Sequence, residues 1–400
     1  MKRIYLGRAG QLGLEIPSHF LQNNQARDLF QERNPSMKAR PQNTSMRAAT
    51  AGVFALLACS GTTAQAQTSV TLYGILDAGL EYVSNSGGHS LAEVQSNGGA
   101  PSRLGLRGNE DLGGGLSALF VLEAPISVNN GASTTPFWAY ASYVGLRSET
   151  YGTLTLGRQF DFLHIEMPPD STTMIEGGLV EGFQGFSSPV KGAPPPAVDN
   201  HSGSGMYNNS IKWAYNNGPI SGGLMYGFGP DSRHDNMQSA YLKYVNSGLE
   251  LGVGWARDNF STVVIANNVY SVRAVYTIGG LTLLANYSQG WETVFPGSQA
   301  RARPFEVAAN YYVTPAITVG AGVGIAWDRN RAGESATITE PFIGARYLLS
   351  RRSMLYLMAA VNHSSNPSAV PATVSVVGGA PDVSSSANQL AILCGLMTFF

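Results

Sequence analysis

The chain is poor in charge, nearly free of cysteine and without any long apolar run. Asp, Glu, Lys and Arg make up 13% of its 400 residues, against about 25% in ordinary soluble proteins. Its two cysteines are Cys59 and Cys394, and only Cys394 lies beyond the N-terminal processing segment, so no disulfide and no thiolate metal site are expected. No stretch reaches the roughly 18 consecutive apolar residues of a membrane-spanning helix. There is no Gly-Lys-Ser/Thr phosphate loop. His164, His234 and His363 stand singly, without metal-ligand spacing, so no metal or cofactor is expected. The formal net charge of −1 gives no basic balance for binding nucleic acid. Asn200-His201-Ser202 are neighbours in sequence, whereas a hydrolytic triad is defined by roles in space, and no enzyme is expected. What remains is a secreted soluble β protein or a barrel whose apolar residues recur at every second position.

The pattern that is present favours the barrel. Val70, Leu72, Gly74, Leu76, Ala78, Leu80 and Tyr82 share one parity, while Thr71, Tyr73, Asp77, Gly79 and Glu81 share the other. Counting back from Phe400 gives Thr398, Leu396, Cys394, Ile392 and Leu390. Period two puts each set on one face of a strand. Further along, Leu249, Leu251, Val253 and Trp255 oppose Glu250, Gly252, Gly254 and Ala256. Phe305 to Val313 and Ile317 to Trp327 alternate in the same way. A lipid-facing side and a wet lumen require this alternation. The final strand is expected to close the barrel against the first.

Turn chemistry gives the strand count. Short turns lie at Glu110–Gly115, Ser148–Gly152, Asn216–Pro219, Asn246–Gly248, Gly279-Gly280, Thr314-Pro315 and Leu349–Arg352, rich in turn formers. Longer connections fall near 84–100, 127–136, 160–205, 229–236, 258–266, 291–303, 328–337 and 364–388. Short and long alternate strictly and separate sixteen segments. The fold expected is an all-β, 16-stranded antiparallel transmembrane barrel wide enough for an aqueous channel. A β-sandwich with one wet face would not alternate its loop lengths.

The N-terminal part reads as a processing segment. Arg47 precedes the apolar run Ala48–Ala58, and Ala64-Gln65-Ala66 fits an A-x-A cleavage site. Residues 37–66 are expected to be a signal peptide, with the mature chain beginning at Gln67. Residues 1–36 fit neither a signal nor a barrel and are expected to be a gene-start extension. Cys59 fits a lipoprotein site less well, because the A-x-A site directly precedes the first strand. The barrel is expected to occupy 67–400.

At this point the sequence resembles the general porins of Gram-negative bacteria, most closely the β-proteobacterial type. The matching stretches are Ser69–Asp77, Ser102–Leu116, Val144–Leu146, Tyr151–Phe160 and Asn208–Lys212, in family order, together with the terminal Phe400. The resemblance implies a homotrimer in the outer membrane, among lipid and lipopolysaccharide, that passes small hydrophilic solutes and ions by diffusion. A substrate-specific channel on the same barrel is the alternative. It would need a track of solute sites, and Tyr73 and Tyr312 are inward aromatics.

In that family the third external loop narrows the pore. Here it would run over about 161–205, too long for a plain connector. Its candidate acids are Asp161, Glu176 and Glu181. The facing basic cluster would comprise Arg103, Arg107, Arg158 and Lys212. Arg103 and Arg107 are four apart and so share a strand face, with Gly105 leaving room between them. Lys212 falls opposite in parity to the outward Ile211 and Trp213. Arg158 follows the family's Gly-Arg motif, but alternation from Leu154 and Leu156 would turn it outward unless the strand bends at Gly157. Arg273 and Arg346 are weaker candidates. Two departures remove positive charge from the lumen: Gly205-Met206-Tyr207 stands where the family has a base, and the chain ends Met397-Thr398-Phe399-Phe400.

Overall fold

The computed structural model describes residues 69–167, 205–229, 236–258, 264–294, 297–374 and 383–400, and the backbone of 185–186 and 198–199. The strands are β1 (Ser69–Ser86), β2 (His89–Ser96), β3 (Arg103–Gly113), β4 (Leu116–Pro125), β5 (Ala141–Ser148) and β6 (Gly152–Phe160). A short helix, α1 (Phe162–Glu166), and two two-residue strands, β7 (Gly185–Phe186) and β8 (Val198–Asp199), follow. Then come β9 (Met206–Asn217), β10 (Ile220–Gly227), β11 (Met237–Asn246), β12 (Leu249–Asp258), β13 (Val264–Ile278) and β14 (Leu281–Val294). The last are β15 (Ser298–Ala302), β16 (Pro304–Tyr312), β17 (Ile317–Arg329), β18 (Ser335–Leu348), β19 (Ser353–Ser364) and β20 (Asn388–Phe399). Residues 1–36 and 37–66, expected to be an extension and a signal peptide, and Glu176 and Glu181 lie outside the described residues.

All strands but β7 and β8 form one antiparallel sheet. The sheet closes on itself because β1 pairs with β20 from Ile75↔Phe399 to Val83↔Ala391. Two staves are built in two pieces. The lower part of β1 pairs with β3 and its upper part with β2, and β14 pairs in the same way with β16 and β15. Counting each such pair once gives the closed sixteen-stranded barrel. The faces follow the alternation: Val70, Leu72 and Leu80 are about two-thirds exposed on the outside, whereas Asp77 and Glu81 are buried on the inside.

Two connections are shorter than the sequence suggests. Of the expected loop 84–100, most is strand, turning at Gly87-Gly88, and only 97–102 leaves the sheet. Of 291–303, β14 and β15 take all but a tip. Above the bilayer both faces of a hairpin are wet, so the apolar period vanishes while the hydrogen-bond ladder continues. The inner wall is also greasier than a plain wet lumen. Ile75, Val83, Tyr356, Met358, Leu393 and Met397 form a buried cluster there, and Gly98 and Gly99 lie against Leu393, Tyr356 and Met397. Asp77 holds this strap through Gly99 N–H (3.1 Å) and Ala100 N–H (3.2 Å), and accepts a hydrogen bond from Tyr356 Oη (2.7 Å).

Closure is finished by the last residue. Phe400 N–H donates to Gly74 C=O and Gly74 N–H donates to Phe400 C=O, both at 3.1 Å. The Phe400 ring lies where a Cβ on Gly74 would stand. Gly74→Val should therefore push the ring off the seam and cost about 1–3 kcal/mol, the usual range for overpacking. The measurement is the temperature at which folded and unfolded bands interconvert in detergent gels, and an unchanged temperature would refute the seam's role.

Candidate pore constriction

The basic wall is built on β3. Arg103 and Arg107 sit two residues either side of Gly105, which pairs with Tyr73 on one neighbouring strand and Glu123 on the other. The space over Gly105 is filled: the Tyr73 ring lies on it, where any Cβ would collide. From there Tyr73 Oη donates to Glu123 Oε1 at 2.8 Å. The Arg107 guanidinium stacks 4.9 Å from the Tyr73 centroid. Arg103 Nε is 3.3 Å from Glu123 Oε1, with both side chains almost wholly buried, and its guanidinium is 5.0 Å from the Tyr140 centroid. Glu123 is thus a partner the sequence reading missed; its inward parity on β4, opposite Gly105, was the available signal.

Lys212 projects inward from β9. Its Nζ donates to Phe160 C=O (2.8 Å) and stands 4.4 Å from the Phe162 centroid. Asp161 and Glu166 are near enough to act on its charge. Asp161 is not across the lumen from the bases: it is buried beside Lys212 as the N-cap of α1, accepting His164 N–H at 2.8 Å. The reason is local. Asp ahead of a helical turn satisfies an orphan N–H.

The structure does not bring Arg158 into this group, which corrects the family carry-over. Arg158 is in register with Ser142, next to the outward pair Leu156↔Val144. Its guanidinium donates to Ala139 C=O and to Asn208 Oδ1 (2.8 Å). The strand does bend at Gly157, which has φ +141° and opens a register shift against β9. The residue delivered to the inside is Gln159, held by Thr155 Oγ1 (2.6 Å) and donating to Ser210 Oγ (3.1 Å). Alternation survives the bulge, so Arg158 stays on the outer parity.

The start of the long loop is seated on glycines. Phe162 lies over Gly223, and Leu163 and Met167 lie over Gly252 and Gly254. Missing side chains on the inner faces of β10 and β12 make the groove that α1 fills. Polar ties fix it there. Glu166 Oε2 is 2.5 Å from Lys243 Nζ, Ser239 Oγ accepts Phe162 N–H (3.2 Å), and Asn286 Nδ2 donates to Met167 C=O (3.1 Å). Glu250 joins Lys243 (3.9 Å) and Arg273 (3.5 Å) into one network. One inner register row therefore runs Lys243, Gly252, Arg273, Asn286, Glu306, Gly324, Glu340. Its bases lie at one end and its acids at the other, and Asn362 Nδ2 donates to Glu340 Oε2 at 2.7 Å. Glu306 and Glu340 were legible as inward by parity but not as members of one row.

His164, on α1 rather than on a spanning strand, stacks on Phe160 at 4.4 Å between centroids. Burial first, then the charges of Lys212 and Arg103, lower its pKa from 6.5 to about 4. Among the described residues no group of three or more His, Cys, Asp or Glu is placed to hold a metal ion.

A closed barrel with an apolar outer belt and a charged inner wall, on which the start of a long loop is seated, is a membrane-spanning channel fold. The family model described as "Gram-negative porin" matches residues 48–367, and the chain belongs to that family. This places it in the outer membrane of a Gram-negative cell. It is 34% identical over 217 residues to outer membrane porin protein 32 of Delftia acidovorans, covering 54% of this chain and 51% of that protein. It is 29% identical over 262 residues to an outer membrane porin protein of Bordetella pertussis, covering 56% of this chain and 63% of that one. The chain thus spans about half to two-thirds of the length of these relatives. Among solved structures, the anion-selective porin from Comamonas acidovorans superimposes with a TM-score of 0.69 at 24% identity, covering 84% of this chain and 100% of that chain. The trimer form of OmpT from Vibrio cholerae gives 0.62 at 17% identity, covering 83% and 99%. These likenesses establish the fold.

Two outcomes test this geometry. Lys243→Met leaves Glu166 buried without its cation and should destabilise the barrel by about 3–5 kcal/mol, whereas Lys243→Met with Glu166→Leu should recover most of it; denaturant midpoints of both variants decide. For His164, the unfolded state takes up a proton near pH 6.5 and the folded state only near 4, so stability should fall as pH drops through that window and level off below it. His164→Gln should flatten that limb in melting temperatures measured from pH 7 to pH 4; a limb of equal slope would exclude His164 as its source.

Proposed function

We propose that the chain forms a water-filled channel for passive diffusion of small hydrophilic solutes and ions, as a homotrimer embedded among outer-membrane lipid and lipopolysaccharide. The observation that carries this reading is the charged inner wall with α1, the start of the long loop, seated on it. Fixed charges of both signs on a narrow wall orient water and bias ion choice. In this reading Arg103, Arg107 and Lys212 line the basic side. Glu176 and Glu181 in the loop remain candidates for the acidic side, together with Glu306 and Glu340 on the wall. Asp161 serves the loop's anchorage, and Arg158 the outer rim.

Pairing limits the positive field. Arg103 is tied to Glu123, Lys243 to Glu166 and Arg273 to Glu250. Tyr207 stands where the family has a base, and its Oη bonds Asp258 Oδ2 at 2.5 Å. Arg107 has no carboxylate partner among the described residues; its contact is the Tyr73 ring. A modest anion preference centred on Arg107 follows. It is weaker than an unpaired cluster would give, and weaker than the name of the Comamonas protein would suggest. The substrate-specific alternative needs a track of sites that bind one solute, such as an aromatic ladder or a paired-Arg anion site, and Arg103 is tied to Glu123. Tyr73 is committed to Gly105 and Glu123, while Tyr312 is half-exposed near the end of its strand, which favours the diffusion reading.

The experiment is single-channel recording of the refolded barrel under a tenfold salt gradient. Three coupled conductance levels are expected, with a reversal potential on the anion side that moves toward zero in Arg107→Gln and further to the anion side in Glu123→Gln. A folded barrel that carries no current would overturn the reading.

A further inference from the structure

Most buried acids of the inner wall are answered by a donor or a cation. Asp77 accepts from Gly99 N–H, Ala100 N–H and the Tyr356 hydroxyl. Glu123 meets Arg103, Glu292 meets Arg331, and Glu340 accepts from Asn362. Asp328 has no hydrogen bond among the described residues, but the charge of Arg303 acts on it. Glu81, on the upper part of β1, has neither. It is 3% exposed, and its Oε1 is shut off from water with no hydrogen-bond partner among the described residues. The charge beside it has the wrong sign. Glu93 on β2 is its direct cross-strand partner and is near enough to act on it, and like charges directly opposite each other are destabilising.

The strands around the pair bring no base to it. β1 and β20 contain no Lys, Arg or His, and β2 contains only His89, at the exposed tip of the hairpin. The position opposite Glu81 on β20 is Leu393, which is fully buried. Both acids are on the lumen side of the sheet, since Leu80 and Tyr82 face out. Directly opposed residues have Cβ atoms about 4.5–5.5 Å apart, so the two carboxylates can turn to one ion between them. Glu93 is exposed, which gives that ion a path from water. One or two carboxylates, with the rest of the shell left as water, are a common way of holding magnesium, and calcium takes the same hard oxygen ligands in a looser shell. Such a site needs no third acid, because water completes it.

We propose that Glu81 and Glu93 hold a hydrated divalent cation, magnesium or calcium, on the lumen wall in the upper half of the barrel. The cation supplies the counter-charge that Glu81 lacks and ties β2 to β1 above the strap at 97–102. The inference rests on the register of β1 and β2 and not on what the channel conducts.

The test titrates magnesium chloride, and separately calcium chloride, into the full refolded barrel in detergent after treatment with a chelator, followed by calorimetry. Wild type should bind one cation per chain with a dissociation constant of about 0.1–1 mM, the range of extracellular calcium modules. Glu81→Gln and Glu93→Gln should each bind at least tenfold more weakly. The melting temperature should rise with cation concentration in wild type and stay level in both variants, because only a bound ion stabilises the fold by mass action. Glu93→Gln alters an exposed side chain, so it decides the matter if Glu81→Gln does not fold. Wild type that takes up neither cation would overturn the proposal and leave Glu81 as a neutral, protonated acid. A site of unchanged affinity in the variants would overturn it as well, by placing the ion elsewhere on the barrel.

Discussion

An unpaired backbone N–H or C=O in hydrocarbon costs several kcal/mol, and every other feature of this barrel depends on avoiding that cost. An open sheet would leave two bare edges in lipid. The β1–β20 ladder, completed by the mutual Phe400–Gly74 hydrogen bonds, leaves none at the seam. Gly74 matters there as the position over which the terminal ring can lie flat. Once the sheet is closed, parity alone decides which side chains meet lipid and which meet the lumen.

Inside, the wall is organised by what is absent as much as by what is present. Gly105 gives Tyr73 a place to lie, and that ring spaces Arg103 from Arg107 while its hydroxyl reaches Glu123. Gly223, Gly252 and Gly254 form the bed for Phe162, Leu163 and Met167, so the loop is held by packing before it is held by charge. The Glu166–Lys243 and Glu250–Arg273 contacts then fix its position. Because these charges are paired, the wall's field is set by the few groups left over, and counting bases overstates it.

Outside, toward the loop rim, successive outward residues of β12 pass from aliphatic Val253 to aromatic Trp255 to basic Arg257. At this rim period two puts Asp258, Glu292 and Asp328 on the lumen side of the sheet and Arg257 and Arg329 on its outer side.

The sequence by itself determined the all-β class, the alternation of both end strands, the short turns and the inward parity of Arg103, Arg107 and Lys212, because these are properties of neighbours one or two residues apart. It located Gly157 as the bend but not what the bend does: the strand keeps its parity, so Arg158 stays out and Gln159 goes in. It also could not show that hairpins continue past the bilayer, since a wet strand loses its apolar period while keeping its hydrogen bonds. Tertiary structure alone decided who meets whom. Tyr73 and Glu123 are fifty residues apart, Glu166 and Lys243 seventy-seven, and Arg301 faces Arg329 across a ladder. Such pairs depend on sheet register, which is a cooperative outcome of closing sixteen staves and leaves no mark on any short stretch of chain.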